Sequence, residues 1–526
     1  MTEPKKHAAL KRVLSDIPEP KQRSGLAGAT VNLTNAIVGS GIIGIPFTIR
    51  ESGLVLGLLL LLLVSYLATR SLRMIVETAS FHPQLKLVGV KTYEDLMFMP
   101  FGSVGSMFIL VNKFVFAYGC MVAYLLIIKD TVPVVLGLDS NNDQTQRQLI
   151  MVATSLFVML PLSLMRDMAS LACTSLLSVA ADVLLIVFMI VYSPVAETVD
   201  ANGGFGQVLK DNAFNSHVFI GLGIISQAMT CHPQALMIHG SLDDPTSRNW
   251  ATVTQQSLGI AWLLCTIMGI VGFLGFLDQT QGDILNNFAS AGSVAANGSR
   301  GLVAITMIFT YPMQAFVARH VVAKLLFNGD SEGDLHVPKW CFCVGRRELL
   351  TLTIYIATLI PALMFDDLGP VLSITGAIGG SCLAFIGPGL IYLGAHGSYF
   401  IEYTNEMMYK RKTEIPTTTE LPAEGDAKAQ MATTTSPSSG NGRTPWWWCL
   451  VLMPLWRSIA ASGSEGMNQN LQALEEESPG CTTVAPTGEV IGPMNGDFYL
   501  AMFLIVFGVV ALVAGVATNI YVQLVV

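Results

Sequence analysis

The sequence predicts an all-α integral membrane protein that crosses the bilayer eleven times, and three observations predict this class. Hydrophobic residues make up 52% of the 526 residues, whereas charged residues make up only 13%, about half the usual share. The mean hydropathy is +0.55. Apolar stretches of about 20 residues, the length that a helix needs to cross the hydrocarbon core, recur along the chain. The formal net charge of -8 excludes a strongly basic nucleic-acid-binding protein.

Eleven apolar stretches are long enough to span the membrane as helices. Helices are required because lipid cannot satisfy the open edge of a β-strand. The stretches also lack the alternation of apolar and polar residues that strands of a membrane barrel show. We place the spans at residues 25–49, 54–79, 103–129, 149–165, 169–194, 215–238, 254–277, 301–327, 348–365, 370–395 and 498–522.

Lysine and arginine residues are distributed unevenly between the two sides of the predicted bundle. With the N-terminus inside, the cytoplasmic segments hold 23 of them and the outer segments hold 5. Basic residues accumulate on the cytoplasmic side of membrane proteins, so we predict a cytoplasmic N-terminus and an outer C-terminus. Asn297 of the pattern Asn297-Gly298-Ser299 then lies in an outer loop as a candidate for N-glycosylation, although three-residue patterns also occur by chance.

Composition divides the chain into a membrane domain and two hydrophilic segments. Residues 1–24 form a basic cytoplasmic arm, which either contacts anionic lipid headgroups or is merely solvated. Residues 25–395 hold the first ten spans, and residues 498–526 hold the eleventh. Residues 396–497 are rich in Thr, Ser, Pro and Glu, which predicts a mostly disordered cytoplasmic insert. The three tryptophans at 446–448 predict an interfacial anchor within this insert.

The first and sixth spans contain matching interruptions. In the first span, Gly39-Ser40-Gly41 follows Asn35 and precedes Pro46, and in the sixth span residues 225–233 include polar side chains and a proline. These spans are the corresponding members of two five-helix halves. Paired interruptions indicate an inverted-repeat transporter whose substrate binds at the midplane of the membrane. Close helix packing by small residues is the alternative for the glycines alone.

Several segments match a known family. They are NLTNAIVGSGIIGIP in the first span, Thr92-Tyr93-Glu94-Asp95 with Phe101-Gly102, Ala123-Tyr124-Leu125-Leu126-Ile127-Ile128, Pro161-Leu162-Ser163-Leu164 with Arg166, Cys231-His232-Pro233, and Thr310-Tyr311-Pro312 with Arg319. With these segments the chain resembles the amino acid/auxin permease family, and within it the sodium-coupled neutral amino acid transporters. The resemblance covers residues 25–400 and, less specifically, residues 498–522.

The resemblance implies a fold of the LeuT type, which consists of two inverted five-helix repeats and one further helix. Such a protein opens its substrate site to each side of the membrane in turn, around broken helices 1 and 6. The substrate carboxylate would bind backbone amides near Ser40 and Gly41, because the amino-terminal end of a half-helix favours negative charge. The substrate ammonium group would face carbonyls near Ala36, Met229 and Thr230. The substrate-binding residues that we expect are Ala36, Gly39, Ser40, Gly41, Met229 and Thr230.

The resemblance also implies a cation site between helices 1 and 8. Asn35 and Thr310 match the family's cation-site positions, and the carbonyl of Val38 would complete the site with a third oxygen, the ligand that hard cations prefer. Alternatively, Asn35 and Thr310 hydrogen-bond a neighbouring helix. We expect Na⁺ or H⁺ as the coupling ion and no bound cofactor.

Two ionisable side chains lie inside predicted spans, where charge is rare and usually functional. Lys113 lies in the third span and Asp182 in the fifth. A pair between them would neutralise both charges and serve structure or gating. Alternatively, Asp182 would bind a proton in a proton-coupled carrier.

The chain departs from the sodium-coupled transporters in its loops. Its outer loop at residues 195–214 is short and has no cysteine, and the long hydrophilic insert lies between helices 10 and 11. We predict a monomeric secondary transporter that moves neutral amino acids by Na⁺-coupled symport, in the plasma membrane or in a vacuolar or endolysosomal membrane. The alternatives are an H⁺-coupled vacuolar or lysosomal transporter and a sensor of the same fold. An enzyme is not expected, because the histidines show no repeated ligand spacing.

Overall fold

A computed structural model describes residues 23–39, 41–137, 144–164, 174–288, 294–327, 345–414, 453–477 and 495–525, which are helical apart from loops and one isolated bridge between Ser24 and Leu242. The α-helices are α1 (Leu26–Val38), α2 (Gly41–Ser52), α3 (Leu54–Phe81), α4 (Pro83–Val88), α5 (Tyr93–Val135), α6 (Gln144–Thr154), α7 (Leu160–Ser163), α8 (Thr174–Tyr192), α9 (Val195–Ala201), α10 (Phe205–Asp211), α11 (Val218–Ala228), α12 (Ala235–Gly240), α13 (Ser247–Phe276), α14 (Val294–Phe327), α15 (Arg346–Met364), α16 (Leu368–Thr375), α17 (Gly387–Ala395), α18 (Gly397–Glu414), α19 (Met453–Glu477) and α20 (Asn495–Val525). Short π-helical turns follow α6 and α16, and 3₁₀ turns precede α12 and follow α13.

Among the described residues, seven helices are long and apolar enough to cross a membrane, or up to nine if each of two bent pairs counts as one span. This confirms the predicted all-helical, multi-pass class. Helices overlap each of the eleven predicted spans. The predicted fourth and sixth spans, residues 149–165 and 215–238, are not among the seven or the nine. A non-helical break divides the sixth, and the described helices over the fourth end at Ser163. The number eleven therefore stays a prediction.

Helix α5 corresponds to the third predicted span, residues 103–129, but begins ten residues earlier, at Tyr93. The Thr92 side chain accepts a hydrogen bond from the backbone N–H of Asp95 at 3.2 Å, which caps the helix, and Glu94 and Asp95 in the first turn complement the helix dipole. Within α5, Gly102 has φ 59° and ψ -149°, a conformation that favours glycine and turns the helix sharply. Helix α5 packs along α14 and also contacts α15, α16 and α19.

The predicted insert contains two helices, α18 and α19, so the expectation of disorder is wrong for residues 397–414 and 453–477. In α19, Gly463 lies against Gly394 and Gly466 lies against the carbonyl of Pro100, too closely for any side chain. The Asn470 amide donates hydrogen bonds to the carbonyls of Phe98 (3.2 Å) and Met99 (2.9 Å). A local stripe of small residues permits this packing. The average composition of the insert is polar, so a composition argument does not detect this stripe. The predicted tryptophan anchor and most of the basic arm lie outside the described residues.

Candidate functional site

The two predicted interruptions lie against each other. The first predicted span is divided into α1 and α2, which meet at an angle of 51°. The sixth is divided at Ala228, after which the chain is not helical until His232. An added Cβ atom on Gly41 would lie 2.6 Å from the Cβ and 2.7 Å from the Cα of Ala228. The start of α2 is therefore in direct backbone contact with the end of α11.

The break in the first span contains an unoccupied position beside the backbone. Gly39 has φ 30° and ψ -140°, and an added Cβ atom there would meet no atom of a described residue within 4 Å, apart from its chain neighbours. The first amides of a helix have no partner within that helix, so the start of α2 at Gly41 offers donors next to this space. Ala36 is half-buried one turn earlier. Ser40 lies outside the described residues.

The break in the sixth span is buried. Met229 and Thr230 are 0% and 3% exposed, and their side chains are committed to neighbours. The Met229 sulfur accepts a weak hydrogen bond from the Ser65 hydroxyl at 3.6 Å, and the Thr230 hydroxyl donates to the carbonyl of Ser226. The backbone carbonyls of Met229 and Thr230 are candidates to bind an ammonium group, and this role stays a prediction.

The predicted cation ligands lie on two helices that pack against the same neighbour. Asn35 on α1 and Thr310 on α14 are both half-buried, and α1 and α14 both contact α8. The Thr310 hydroxyl donates to the carbonyl of Thr306 at 2.7 Å, which leaves its oxygen free to accept or to ligate a cation. In the described part of the chain no hydrogen bond joins Asn35 to Thr310. Val38 is fully buried at the end of α1, and the three-ligand site stays a prediction.

The proposed pair between Lys113 and Asp182 is wrong. The Lys113 ammonium lies 2.9 Å from the carboxylate of Glu94, 19 residues earlier. In a straight helix 19 residues would span about 28 Å, so the bend at Gly102 makes this contact. Because we placed Glu94 outside the third span, sequence reasoning missed this pairing, although Glu94 belongs to the quoted segment Thr92-Tyr93-Glu94-Asp95.

Glu94 is the centre of an ionic network between α5 and α14. Its side chain is 1% exposed, and the Lys324 ammonium lies 3.3 Å from Glu94 and 3.0 Å from Asp95. His320 lies 3.9 Å from the same carboxylate. Two lysines thus compensate the buried charge of Glu94, and the loss of either would leave that charge less compensated.

Asp182 has no counter-ion among the described residues. It is 4% exposed, and its Oδ2 atom is buried without a hydrogen-bond partner. It lies on α8, which packs against α1 and α13. A buried carboxyl group without a counter-ion is a candidate proton site in a transporter, and this alternative stays a prediction.

Two polar side chains beside the sixth-span break were not assigned a role from the sequence. Gln227 is 4% exposed, and its amide donates to the Cys120 sulfur at 3.5 Å while its Oε1 atom has no partner among the described residues. The buried Ser226 hydroxyl is likewise unpartnered in the described part of the chain. Their position in the sequence, as polar residues next to a break in an apolar span, is the signal that could have identified them. Both could hydrogen-bond a polar substrate group.

Asn297 lies in the first turns of α14 and not in a loop. Helix α14 begins at Val294, seven residues before the predicted span, and the Asn297 side chain accepts a hydrogen bond from Arg300 at 3.3 Å. The predicted loop position is therefore wrong, because the helix continues through Asn297, Gly298 and Ser299. Glycosylation of Asn297 stays a prediction.

Comparisons with known proteins cover most of the chain. A family model described as transmembrane amino acid transporter protein matches residues 22–410. A Danio rerio protein named "Putative sodium-coupled neutral amino acid transporter 11" is 31% identical over 70% of this chain and 79% of its own length. "Vacuolar amino acid transporter 2" of Saccharomyces cerevisiae is 30% identical over 70% of this chain and 76% of its own. The solved structure of a Na⁺-coupled sialic acid symporter aligns with a TM-score of 0.45 at 13% identity, over 74% of this chain and 84% of the symporter.

Proposed function

The chain belongs to the family of transmembrane amino acid transporter proteins, and from this premise we propose that it carries neutral amino acids across a membrane by Na⁺-coupled symport. Membership confirms the resemblance drawn from the first span, and it confirms that the chain is a transporter and not an enzyme. The contact between Gly41 and Ala228 is the observation that carries the proposal. It joins the two helix breaks at which an inverted-repeat transporter binds its substrate.

In the proposed mechanism the substrate lies in the space beside Gly39. Its carboxylate accepts hydrogen bonds from the amides at the start of α2, and its ammonium group faces the carbonyls of Ala36, Met229 and Thr230. We propose that α1 to α17 form two inverted repeats of the LeuT type and that α20 is the additional helix. The repeats would then rock around this site to expose it to each side in turn, with the protein acting as a monomer.

The proposed cation site couples Na⁺ to the substrate through α1. Asn35, the carbonyl of Val38 and Thr310 would supply three oxygen ligands, as hard cations prefer. Because the site joins α1 to α14, bound Na⁺ would hold α1 in the position that binds the substrate. The name of the Danio rerio relative supports this choice of ion.

Replacing Thr310 with alanine should raise the Na⁺ concentration for half-maximal transport about tenfold, which equals about 1.4 kcal/mol of binding free energy. The loss of one oxygen ligand is the physical reason. The measurement is substrate uptake as a function of Na⁺ concentration in proteoliposomes. Thr353→Ala is the matched control, because the Thr353 hydroxyl makes the same helical bond, to the carbonyl of Leu349 at 2.9 Å, on an exposed face. An unchanged Na⁺ dependence in well-folded Thr310→Ala protein would contradict the assignment.

Proton-coupled transport is the second candidate function, and the absence of a counter-ion for Asp182 in the described part of the chain favours it. Asp182→Asn should then reduce uptake driven by a proton gradient at least about tenfold, because asparagine cannot release a proton. Asp211→Asn, at the exposed end of α10, is the matched control. Undiminished proton-driven uptake in Asp182→Asn would exclude this candidate. This function would place the protein in a vacuolar or endolysosomal membrane, and Na⁺ symport would place it in the plasma membrane.

Uptake of labelled glutamine, alanine and leucine into proteoliposomes tests the proposed function directly. Choline replaces Na⁺ in one series, and the pH gradient varies independently in a second series. We expect uptake that follows the Na⁺ gradient. Uptake that follows only the proton gradient would favour the second candidate. Specific binding without net flux would overturn both and favour the sensor alternative.

A further inference from the structure

A further buried carboxyl group, that of Asp283, lies in the segment of residues 277–288, here called the outer loop after its predicted side of the membrane, which joins α13 to the region before α14. Asp283 is 2% exposed. Its Oδ1 atom accepts a hydrogen bond from the backbone N–H of Leu285 at 2.9 Å. Its Oδ2 atom is buried, with no hydrogen-bond partner among the residues that the structure describes. A buried carboxylate oxygen without a donor is costly, and the proposed transport mechanism does not use Asp283.

The cationic side chains around the outer loop all have other partners. Arg300 of α14 donates to the carbonyls of Leu285 (2.9 Å) and Phe288 (2.7 Å). Arg147 of α6 pairs with Asp130. Lys129 of α5 lies 2.9 Å from Asp366, and Arg50 of α2 donates to Glu51 and to the carbonyl of Thr280. None of these four cations donates a hydrogen bond to Asp283.

The anionic side chains around the outer loop oppose the ionisation of Asp283. Asp130, at the end of α5, accepts a hydrogen bond at 2.8 Å from Asn286, which lies in the turn that Asp283 begins. Asp367, before α16, lies next to Gly282 and caps the amide of Gly369. Glu51 and Asp366 are the partners of Arg50 and Lys129. A carboxylate at position 283 would therefore add a like charge beside Asp130.

Burial, together with the charge of Asp130, raises the pKa of Asp283 from 3.8 to about 7, although Leu285, Arg300 and Arg147 oppose this shift. A raised pKa means that the folded protein holds the proton between these two values while the unfolded chain has released it. The stability from this proton is therefore lost as the pH rises through the folded pKa of about 7. Asp283 thus changes charge near neutral pH.

The outer loop covers the half-helix that carries the proposed substrate amides. The turn Ile284–Asn287 packs against α2. The carbonyl of Thr280 accepts a hydrogen bond from Arg50 at 2.6 Å, and Ile284 is fully buried. Any displacement of this loop would therefore uncover α2.

We propose that Asp283 is a proton-binding site that controls how closely the outer loop covers α2. When Asp283 is protonated, the neutral carboxyl group is compatible with its buried position, and the loop stays against α2. When Asp283 releases its proton, desolvation and repulsion from Asp130 favour a loop position farther from α2. The ligand of this site is a proton from the solution on the side of the outer loop.

Cysteine labelling tests the loop movement without any transport measurement. Ile284→Cys places a thiol at a fully buried position, and Ser216→Cys places one at an exposed position. Each labelling rate with a membrane-impermeant maleimide is divided by the thiolate fraction from the titration of that same thiol. The ratio of the two corrected rates then compares the positions at each pH, and the parent protein gives the background. We expect this ratio to rise at least about tenfold from about pH 5.5 to about pH 8.5.

Asp283→Asn should abolish this rise and keep the ratio at its low acidic value, because the amide resembles the protonated carboxyl group. Asp278→Asn, an exposed acid of the same loop, should keep the rise. Asp130→Asn should move the midpoint to lower pH, because it removes the neighbouring charge. A rise that persists in Asp283→Asn, or a parent protein without any rise, would overturn the proposal.

A flux measurement separates this proposal from the proposed function, on which its role in transport rests. In active proteoliposomes, the half-saturating substrate concentration on the loop side should depend on the pH of that side only, and Asp283→Asn should remove this dependence. Labelling that changes with pH in a protein without amino acid flux would support the proton site and reject the transport function. Amino acid flux without a pH-dependent labelling ratio would support the transport function and reject the proton site.

Discussion

Gly41→Val is expected to reduce transport at least about tenfold, because the contact between the two helix breaks has no room for a side chain. An added Cβ atom would lie 2.6 Å from the Cβ of Ala228. Overpacking of this kind costs about 1–3 kcal/mol, and here it would separate α2 from α11 at the proposed substrate site. The measurement is initial uptake per reconstituted protein molecule, with thermal stability recorded in parallel.

Two further variants show whether the effect of Gly41→Val belongs to this contact. Gly259→Val is the matched control, because an added Cβ atom at Gly259 on the exposed face of α13 would meet no described residue outside its own stretch of helix within 4 Å. Gly41→Ala combined with Ala228→Gly should recover part of the activity that Gly41→Ala loses, because it removes one of the two clashing atoms. Uptake by Gly41→Val at the wild-type rate would show that the breaks do not need to touch.

Lys113→Met should lower the free energy of unfolding by about 3 kcal/mol, the lower end of the range for breaking a buried ion pair. The side chain of Glu94 is 1% exposed, so its charge would lose one of two compensating ammonium groups while Lys324 remains. The measurement is the thermal unfolding temperature of the detergent-solubilised protein.

A comparison with an exposed pair isolates the role of burial. Arg73 and Glu77 on α3 lie 3.3 Å apart with about a quarter of each side chain exposed, so Arg73→Met should cost no more than about 1 kcal/mol. Adding Glu94→Gln to Lys113→Met should restore part of the lost stability, because the uncompensated charge is removed. Equal losses for Lys113→Met and Arg73→Met would show that the Glu94 network does not support the fold.

Both the membrane class and the position of the helix breaks could be predicted from local sequence. Apolar stretches of membrane-spanning length require helices, because lipid offers the backbone no hydrogen bonds. Gly39 and Gly41 interrupt one of these helices, and the structure has its bend there. The insert was judged by average composition, and this concealed the small-residue stripe of α19 that contains Gly463 and Gly466.

The sequence by itself determined that this protein is a multi-pass helical membrane protein, where its first span breaks, and to which family it belongs. Each of these depends on residues that are neighbours in the chain. Only the tertiary structure decided the partner of Lys113, because the bend at Gly102 brings Glu94 to it. Only the tertiary structure placed Asp283 beside Asp130, from segments more than 150 residues apart. The charge state of such groups depends on burial and on distant neighbours, which a linear pattern does not contain.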